Sequence, residues 1–249
     1  MSSLLETVHL SKKFGALAAV VNVNLKVARG TIHSVIGPNG AGKTTLFNLL
    51  TGFLKPSAGA IVFDGKEITG LPPHEISRRG MSRSFQITSI FPELSVGENV
   101  RIALQSRTGM SYKFLKRLTR GDGLQEKSNV ILARIGLLEK AGLQAKHLSH
   151  GEKRVLDIGI GVATSPELLL LDEPASGLVG DEILRVTNLV KQISSSVTVI
   201  LVEHNIDVVL SISNRITVLS YGGVIAEGSP ADIQSNSKVQ EVYLGTTTC

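Results

Sequence analysis

One stretch restricts the fold of this chain more than any other: IGPNGAGKTTLFNLL, from Ile36 to Leu50. Glycine loses more backbone freedom on folding than any other residue, so a cluster of glycines persists only where something comes close to the main chain. Gly37, Gly42, Lys43 and Thr44 satisfy the spacing G-x-x-x-x-G-K-[ST]. The apolar run TIHSVIG in front reads as a buried strand, and LFNLLTGF behind it reads as a helix. A strand, a glycine loop and a helix start in that order form an anion cradle. The loop Gly37, Pro38, Asn39, Gly40, Ala41 and Gly42 turns its backbone toward phosphate oxygens, and the helix end at Lys43, Thr44 and Thr45 adds partial positive charge. Lys43 is placed to reach β- and γ-phosphates, and the Thr44 hydroxyl to ligate Mg²⁺. The pattern predicts a chain that binds a nucleoside triphosphate.

The rest of the chain supplies an α/β setting. ELLLLDE and VTVILVEH are apolar runs of the kind that parallel strands buried on both faces require, and the helical stretch VGDEILRVTNLVKQIS between them makes a βαβ unit. Ahead of the cradle, LLETVHLSKKF and the alternating VNVNLKV read as strands, as does GAIVFDGKEI after it. From about 87 to 161 the β signals fade, and a helical segment is expected as an insertion in a single domain spanning 1–249. ITVLSYGGVIAEGSP reads as a hairpin turning at Gly222 and Gly223.

Asp172 and Glu173 follow the buried strand Leu168 to Leu171, at the strand end where open α/β sheets bind ligands. An acidic pair there also serves as a helix N-cap. Beside a phosphate cradle, Asp172 suits Mg²⁺ held through water, and Glu173 suits a general base that activates the attacking water.

Composition closes off several other classes. With 249 residues, 19% of them charged and 42% hydrophobic, the chain is globular rather than disordered. Its net charge of +5 is scattered rather than gathered into a block that would grip nucleic acid. Cys249 is the one cysteine, so no internal disulfide forms. No apolar run is long enough to cross a bilayer, and the N-terminal residues lack the order of a secretory signal. A soluble cytoplasmic protein is expected, with any membrane role exercised through another chain.

LSHGEKR, from Leu148 to Arg154, opens a helix upstream of Asp172, and here the chain resembles the ATP-binding cassette (ABC) ATPases, whose signature is commonly Leu-Ser-Gly-Gly-Gln. That resemblance implies an Mg²⁺-dependent ATPase with a RecA-like P-loop core, an antiparallel β subdomain and the inserted helical subdomain at about 87–161. It further implies that Phe14 in KKFG stacks on adenine and that Gln86 in RSFQ contacts Mg²⁺ and senses a membrane partner. His204 in LVEH becomes a switch histidine that touches the γ-phosphate. Ser149 and Gly151 would seal the nucleotide held by another subunit, so that two cassettes, copies or paralogues, close head-to-tail over two ATP. Ser149 with Glu152 also fits a capping box, and the two readings are compatible because a helix start is itself an anion site. Three departures stand out: His150 for the usual first glycine, Glu152 for the usual glutamine, and Val179 in SGLVGD where an Asp or Asn normally stands, with Asp181 displaced from that place.

The RSFQ motif, the polar stretch SRTGMSYKFLKRLTRGDG, LSHGE and the ending VQEVYLG are together similar to the ATPase subunits of branched-chain amino acid importers. Urea and other amino-acid importer subunits share much of this pattern, and lipopolysaccharide-export ATPases are the nearest competitor. The implied partners are a second ATPase subunit, integral-membrane permeases and, indirectly, a solute-binding protein, with the chain peripheral on the inner face of the membrane and no nucleic acid bound. ITSIFPELSVGENV is expected to form the groove for a permease helix, with a helix start at Ser95 and Glu98 and with Phe91 and Leu94 partly exposed. The basic cluster Lys113, Lys116, Arg117 and Arg120 fits a solvated loop or contact with anionic lipid. A soluble ATP-driven switch acting on nucleic acid or protein is the alternative from a different class.

Overall fold

The computed structural model describes residues 3–84, 90–107 and 123–244. Strands β1 (Ser3–Phe14), β2 (Leu17–Val23) and β3 (Lys26–Ala28) lead into β4 (Ile32–Ile36) and helix α1 (Lys43–Leu50). Strands β5 (Ala58–Phe63) and β6 (Lys66–Glu67) precede α2 (Pro73–Arg78) and the short β7 (Met81–Arg83). Helices α3 (Val96–Arg107), α4 (Leu124–Arg134) and α5 (His150–Ala163) come next, followed by β8 (Leu168–Asp172), α6 (Asp181–Ser194) and β9 (Thr198–Val202). The last elements are α7 (Ile206–Ile212), β10 (Arg215–Ser220), β11 (Gly223–Gly228), α8 (Pro230–Gln234) and α9 (Ser237–Leu244).

Two sheets organise these elements. The larger runs in the order β11-β10-β4-β9-β8-β7, parallel throughout except for β11 at its edge. The smaller is antiparallel, in the order β2-β1-β5-β6, with β3 also paired to β1. Every residue of β4, β8 and β9 is buried, because layers cover both faces of the larger sheet. Successive side chains alternate between those layers. Leu169, Leu171, Val199 and Leu201 join the core formed with α3 to α6, while Leu168, Leu170, Ile200 and Val202 join α1 and the antiparallel sheet. The glycine loop after β4 and the ends of β8 and β9 therefore lie on one rim of a layer that is fixed from both sides.

Local expectations are corrected in three places. VNVNLKV is not one strand: it breaks between β2 and β3, where the Asn24 side chain accepts from the His9 N–H at 2.8 Å and the Thr7 hydroxyl accepts from the Leu25 N–H at 2.9 Å. Side-chain bonds there replace the ladder. GAIVFDGKEI folds as the β5–β6 hairpin about Asp64 and Gly65, whose φ values of 47° and 71° suit a tight primed turn. The final hairpin turns at Tyr221 and Gly222 (φ 46° and 80°), one residue earlier than expected, and Gly223 already opens β11.

The helical stretch does hold α3, α4 and α5, and α5 continues to Ala163; its expected start at 87 lies outside the described residues. Ser95 and Glu98 cap α3 reciprocally: the Ser95 N–H donates to Glu98 Oε2 at 2.8 Å, and the Glu98 N–H to Ser95 Oγ at 3.2 Å. Phe91 is exposed and Leu94 half-buried. Gln86, the cluster Lys113, Lys116, Arg117 and Arg120, and Cys249 fall outside the described residues. Among the described residues no helix is long and apolar enough to cross a membrane.

Candidate nucleotide site

The glycines of the loop serve different ends. A Cβ at Gly37 would enter the van der Waals shell of the Leu219 carbonyl oxygen, and one at Gly42 that of the Ala19 carbonyl oxygen. Those two positions are small because β10 and β2 press against the loop, not because they face open space. Gly40 is the one that faces open space: nothing lies within 4 Å of its would-be Cβ, and its φ of 79° is left-handed. Ahead of α1, Gly42 occupies the N-cap without any side-chain cap, and the first turn holds no acidic residue. The N–H groups of that helix end stay available to an anion. Lys43 is buried and donates from Nζ to the carbonyls of Gly37 at 2.7 Å and Pro38 at 3.0 Å. Burial pulls its pKa below the usual lysine value, with the nearby charges of Glu173 and Asp172 pulling the other way. Asn39 and Thr44 are exposed, Pro38 and Thr45 half-buried, and Ala41 buried.

The carboxylates sit where β8 and β9 end side by side, with Asp172 paired to Val202. Asp172 Oδ2 accepts from Arg83 at 2.8 Å in a buried ion pair, and the same guanidinium donates to Asn48 Oδ1 on α1 at 2.6 Å. Arg83 thereby ties the edge strand β7 to the helix of the cradle and to the acidic strand end. Glu173 Oε1 is 2.7 Å from His204 Nε2, and the histidine ring is half-exposed. Glu173 also carries a φ of 49°, a left-handed conformation that non-glycine residues rarely adopt. Behind it lies Glu203, fully buried, accepting from the N–H groups of Ala175 at 2.6 Å and His204 at 3.0 Å. Burial pushes the Glu203 carboxyl above the usual carboxylate range, while the backbone N–H groups around it pull it down.

Ser149 caps α5 in a complete capping box with Glu152 and is exposed. Glu152, standing where glutamine is usual, is held below the ordinary carboxylate range by Lys140, whose ammonium bonds it. A Cβ on Gly151 would stand 2.6 Å from Glu182 Oε1, so the side chain at the start of α6 lies directly over this glycine. His150 lies against the SGLVGD loop, its Nε2 3.3 Å from a would-be Cβ on Gly177, while Val179 projects into solvent at 75% exposure. Asp181 begins α6. Phe14 ends β1 half-exposed, with Lys12 Nζ 5.2 Å from its ring centroid, and pairs with Leu17 of β2, the strand whose Ala19 carbonyl backs Gly42.

Chemically, this rim joins an uncapped helix end, a lysine within electrostatic reach of Asp172 and Glu173, and a carboxylate touching an imidazole. A hard cation fits the donors present: the exposed Thr44 hydroxyl, and Asp172, whose second oxygen meets no protein donor among the described residues. No cluster of three or more His, Cys, Asp or Glu side chains converges on a metal-sized site among those residues, so substrate phosphates would complete such a cation's shell. The ligating role expected of Gln86 falls outside the described residues. Sequence reasoning passed over Arg83, Arg154 and Glu203. Each stands inside a quoted motif (RSFQ, LSHGEKR and LVEH), but charge burial is invisible in a string of letters.

Known proteins match this geometry. Residues 20–176 match the family described as ABC transporter, and 224–247 match branched-chain amino acid ATP-binding cassette transporter. The high-affinity branched-chain amino acid transport ATP-binding protein LivG of Escherichia coli (strain K12) is 42% identical, over 97% of this chain and 98% of its own length. Among solved structures, the ADP conformation of MJ1267, an ATP-binding cassette of an ABC transporter, superposes with a TM-score of 0.88 at 31% identity, covering 98% of this chain and 100% of that one. The dimeric post-hydrolysis state of the ATP-binding cassette MJ0796, bound to ADP and Pi, does so with a TM-score of 0.76 at 25% identity, covering 91% and 98%. A glycine loop pressed between β10 and β2, an acidic strand end beside it and near-complete coverage by these relatives lead to one assignment: the chain belongs to the ABC transporter family, as one of its ATP-binding, ATP-hydrolysing cassettes.

Proposed function

We propose that this chain energises a membrane importer of branched-chain or related amino acids by closing head-to-tail with a second cassette, copy or paralogue, over two ATP molecules. The observation that carries the hydrolytic part is the 2.7 Å contact between Glu173 Oε1 and His204 Nε2 beside the glycine loop. In this reading Phe14 stacks on adenine. The loop Gly37, Pro38, Asn39, Gly40, Ala41 and Gly42, with Lys43, Thr44 and Thr45, holds the phosphates, Lys43 leaving its own loop carbonyls for phosphate oxygens. Mg²⁺, when bound, neutralises charge on the β- and γ-phosphates, and Thr44, Asp172 and Gln86 are the residues that would hold it. Glu173 takes the proton of the water that attacks the γ-phosphorus, and the bond to the β,γ-bridging oxygen breaks to leave ADP and phosphate. His204 orients the γ-phosphate, and Ser149 and Gly151 of a second cassette cover it. Loss of the γ-phosphate removes the contacts that favour the closed pair.

The amino-acid cargo is supported by the match of 224–247 and by the name of the relative LivG. The helical unit at about 87–161, with exposed Phe91 near the start of α3, is the surface offered to a permease on the inner face of the membrane. One experiment tests the reading. Glu173→Gln should bind ATP as the wild type does, lose about 10²–10⁴ in turnover as removal of a general base implies, and accumulate as an ATP-dependent dimer on size exclusion. Undiminished turnover removes Glu173 as the base. Uptake of leucine into vesicles holding this chain together with its permease subunits checks the cargo.

A further inference from the structure

We propose that Arg154 and Glu203 are positioning residues that clamp the backbone of the hydrolytic carboxylate from two sides, and that Arg154 links it to the helix end offered to the other cassette's nucleotide. This rests on the reading of Glu173 and Ser149 given under Proposed function.

Glu173 holds a left-handed φ of 49°. That conformation is strained for a non-glycine residue, and it persists only where the surroundings over-determine it. On one side lies the buried guanidinium of Arg154, donating to the carbonyls of Asp172 at 2.6 Å, Glu173 at 2.5 Å and Pro174 at 3.1 Å. On the other lies the buried carboxylate of Glu203, accepting from the N–H of Ala175 at 2.6 Å. The N–H of Glu173 itself donates to the Val202 carbonyl at 2.8 Å. Successive peptide groups from Asp172 to Ala175 are thus gripped by a guanidinium on one side and a carboxyl group on the other, both shut off from water, and hydrogen bonds to charged groups are the strong ones.

A purely structural part for Arg154 would be met by its ion pair with buried Asp157 at 3.8 Å on the same helix. Beyond that pair, Nε and Nη2 of its fork reach three carbonyls, in a geometry that the planar guanidinium allows and a lysine ammonium does not. Glu203 likewise does more than fill space: its second oxygen accepts from the N–H of His204 at 3.0 Å, so one carboxylate fixes both the Glu173 loop and the histidine that touches Glu173.

Arg154 lies five residues beyond Ser149, about 7.5 Å along α5 at a helical rise of 1.5 Å per residue. Because α5 is capped and continuous, a shift of its Ser149 end moves the fork that holds the carbonyls. His150 against Gly177 gives the same helix end a second contact with the loop that follows Glu173. One cassette's grip on the other's ATP and the aim of its own carboxylate therefore share a lever.

The test uses the full chain with methylanthraniloyl-ATP as binding probe, and Arg154→Lys, Glu203→Gln and their double variant. Expected are probe affinities within about threefold of wild type. The expected kcat for ATP falls about 10²-fold in each single variant, the scale of a small misplacement of a catalytic group. The two losses should be non-additive in the double, since both variants loosen one segment. In a Glu173→Gln background, where the carboxylate is already disabled, Arg154→Lys should leave the ATP-dependent dimer intact. Turnover within threefold of wild type, losses that multiply, or a kcat loss matched by lost probe binding overturns the clamp. Glu203→Gln, nearly isosteric, carries the same test should Arg154→Lys fold poorly. Undiminished turnover in Glu173→Gln overturns the site reading and the clamp with it, whereas failure of the clamp variants alone leaves that reading standing.

Discussion

Replacing Arg83 by methionine should cost far more than a surface ion pair would. Its guanidinium and the Asp172 carboxylate meet at 2.8 Å with side chains only 9% and 3% exposed, so bulk water screens neither charge. For charge centres about 4 Å apart and an effective dielectric near 20, the attraction is about 4 kcal/mol. Independently, removing one partner of a buried pair costs about 3–5 kcal/mol, because the survivor is left buried and uncompensated. The variant also loses the bond to Asn48 Oδ1 at 2.6 Å and the cation–π contact with Phe47 at 5.6 Å. These terms overlap and do not simply add, so the expected loss for Arg83→Met stays at about 3–5 kcal/mol. Urea unfolding followed by circular dichroism at neutral pH measures it, with an unchanged slope showing that the denatured state is unaffected. A cycle with Asp172→Asn isolates the pair, and its coupling energy should reach at least about 2 kcal/mol. A loss below about 1 kcal/mol, the range of exposed pairs, or additive single losses would refute the claim that this charge pair is desolvated and locks α1, β7 and β8 together.

Further outcomes follow from the loop, from a buried histidine and from the α5 cap. Gly42→Ala combines a φ of 99° with collision against the Ala19 carbonyl, whereas Gly40→Ala meets only the backbone penalty of its φ of 79°. Calorimetric melts should therefore show Gly42→Ala as the less stable of the two by at least about 1 kcal/mol, the low end for overpacking, and equal losses would contradict the packing described for β2. His33 is fully buried with Nε2 2.8 Å from the Thr217 hydroxyl, and burial lowers its pKa to about 4. The unfolded chain takes up a proton below pH 6.5 that the folded chain refuses, so this contribution is full above that pH and is lost as pH falls toward 4. Relative to His33→Gln, wild type should lose about 1.5 kcal/mol between pH 6.5 and 5, and a difference that stays flat across that window would show His33 to titrate normally. Ser149→Ala removes the cap of α5. It should cost about 1 kcal/mol of stability, checked by urea titration; no loss would show that the capping box does not bear on the helix.

Much of this protein is legible in the order of its residues. The cradle from Gly37 to Thr45, the buried strands of ELLLLDE and VTVILVEH, and the caps at Ser95 and Ser149 are local patterns, where a few adjacent residues suffice to set backbone conformation. Turn positions slip by a residue, as at Tyr221 and Gly222, because several small or polar neighbours satisfy a tight turn equally well.

What no local pattern supplies is the set of contacts between distant segments. That Gly37 and Gly42 are small because Leu219 and Ala19 press on them depends on β10 and β2 arriving from far along the chain. Arg83, Arg154 and Glu203 look like ordinary polar residues in the string, and they become consequential only once the sheet and helices exclude water from their charges. Burial is a property of the assembled layers, and the strength of a charge follows from its burial; for this reason the glycine loop can be read from letters, whereas the buried charged residues beside it cannot.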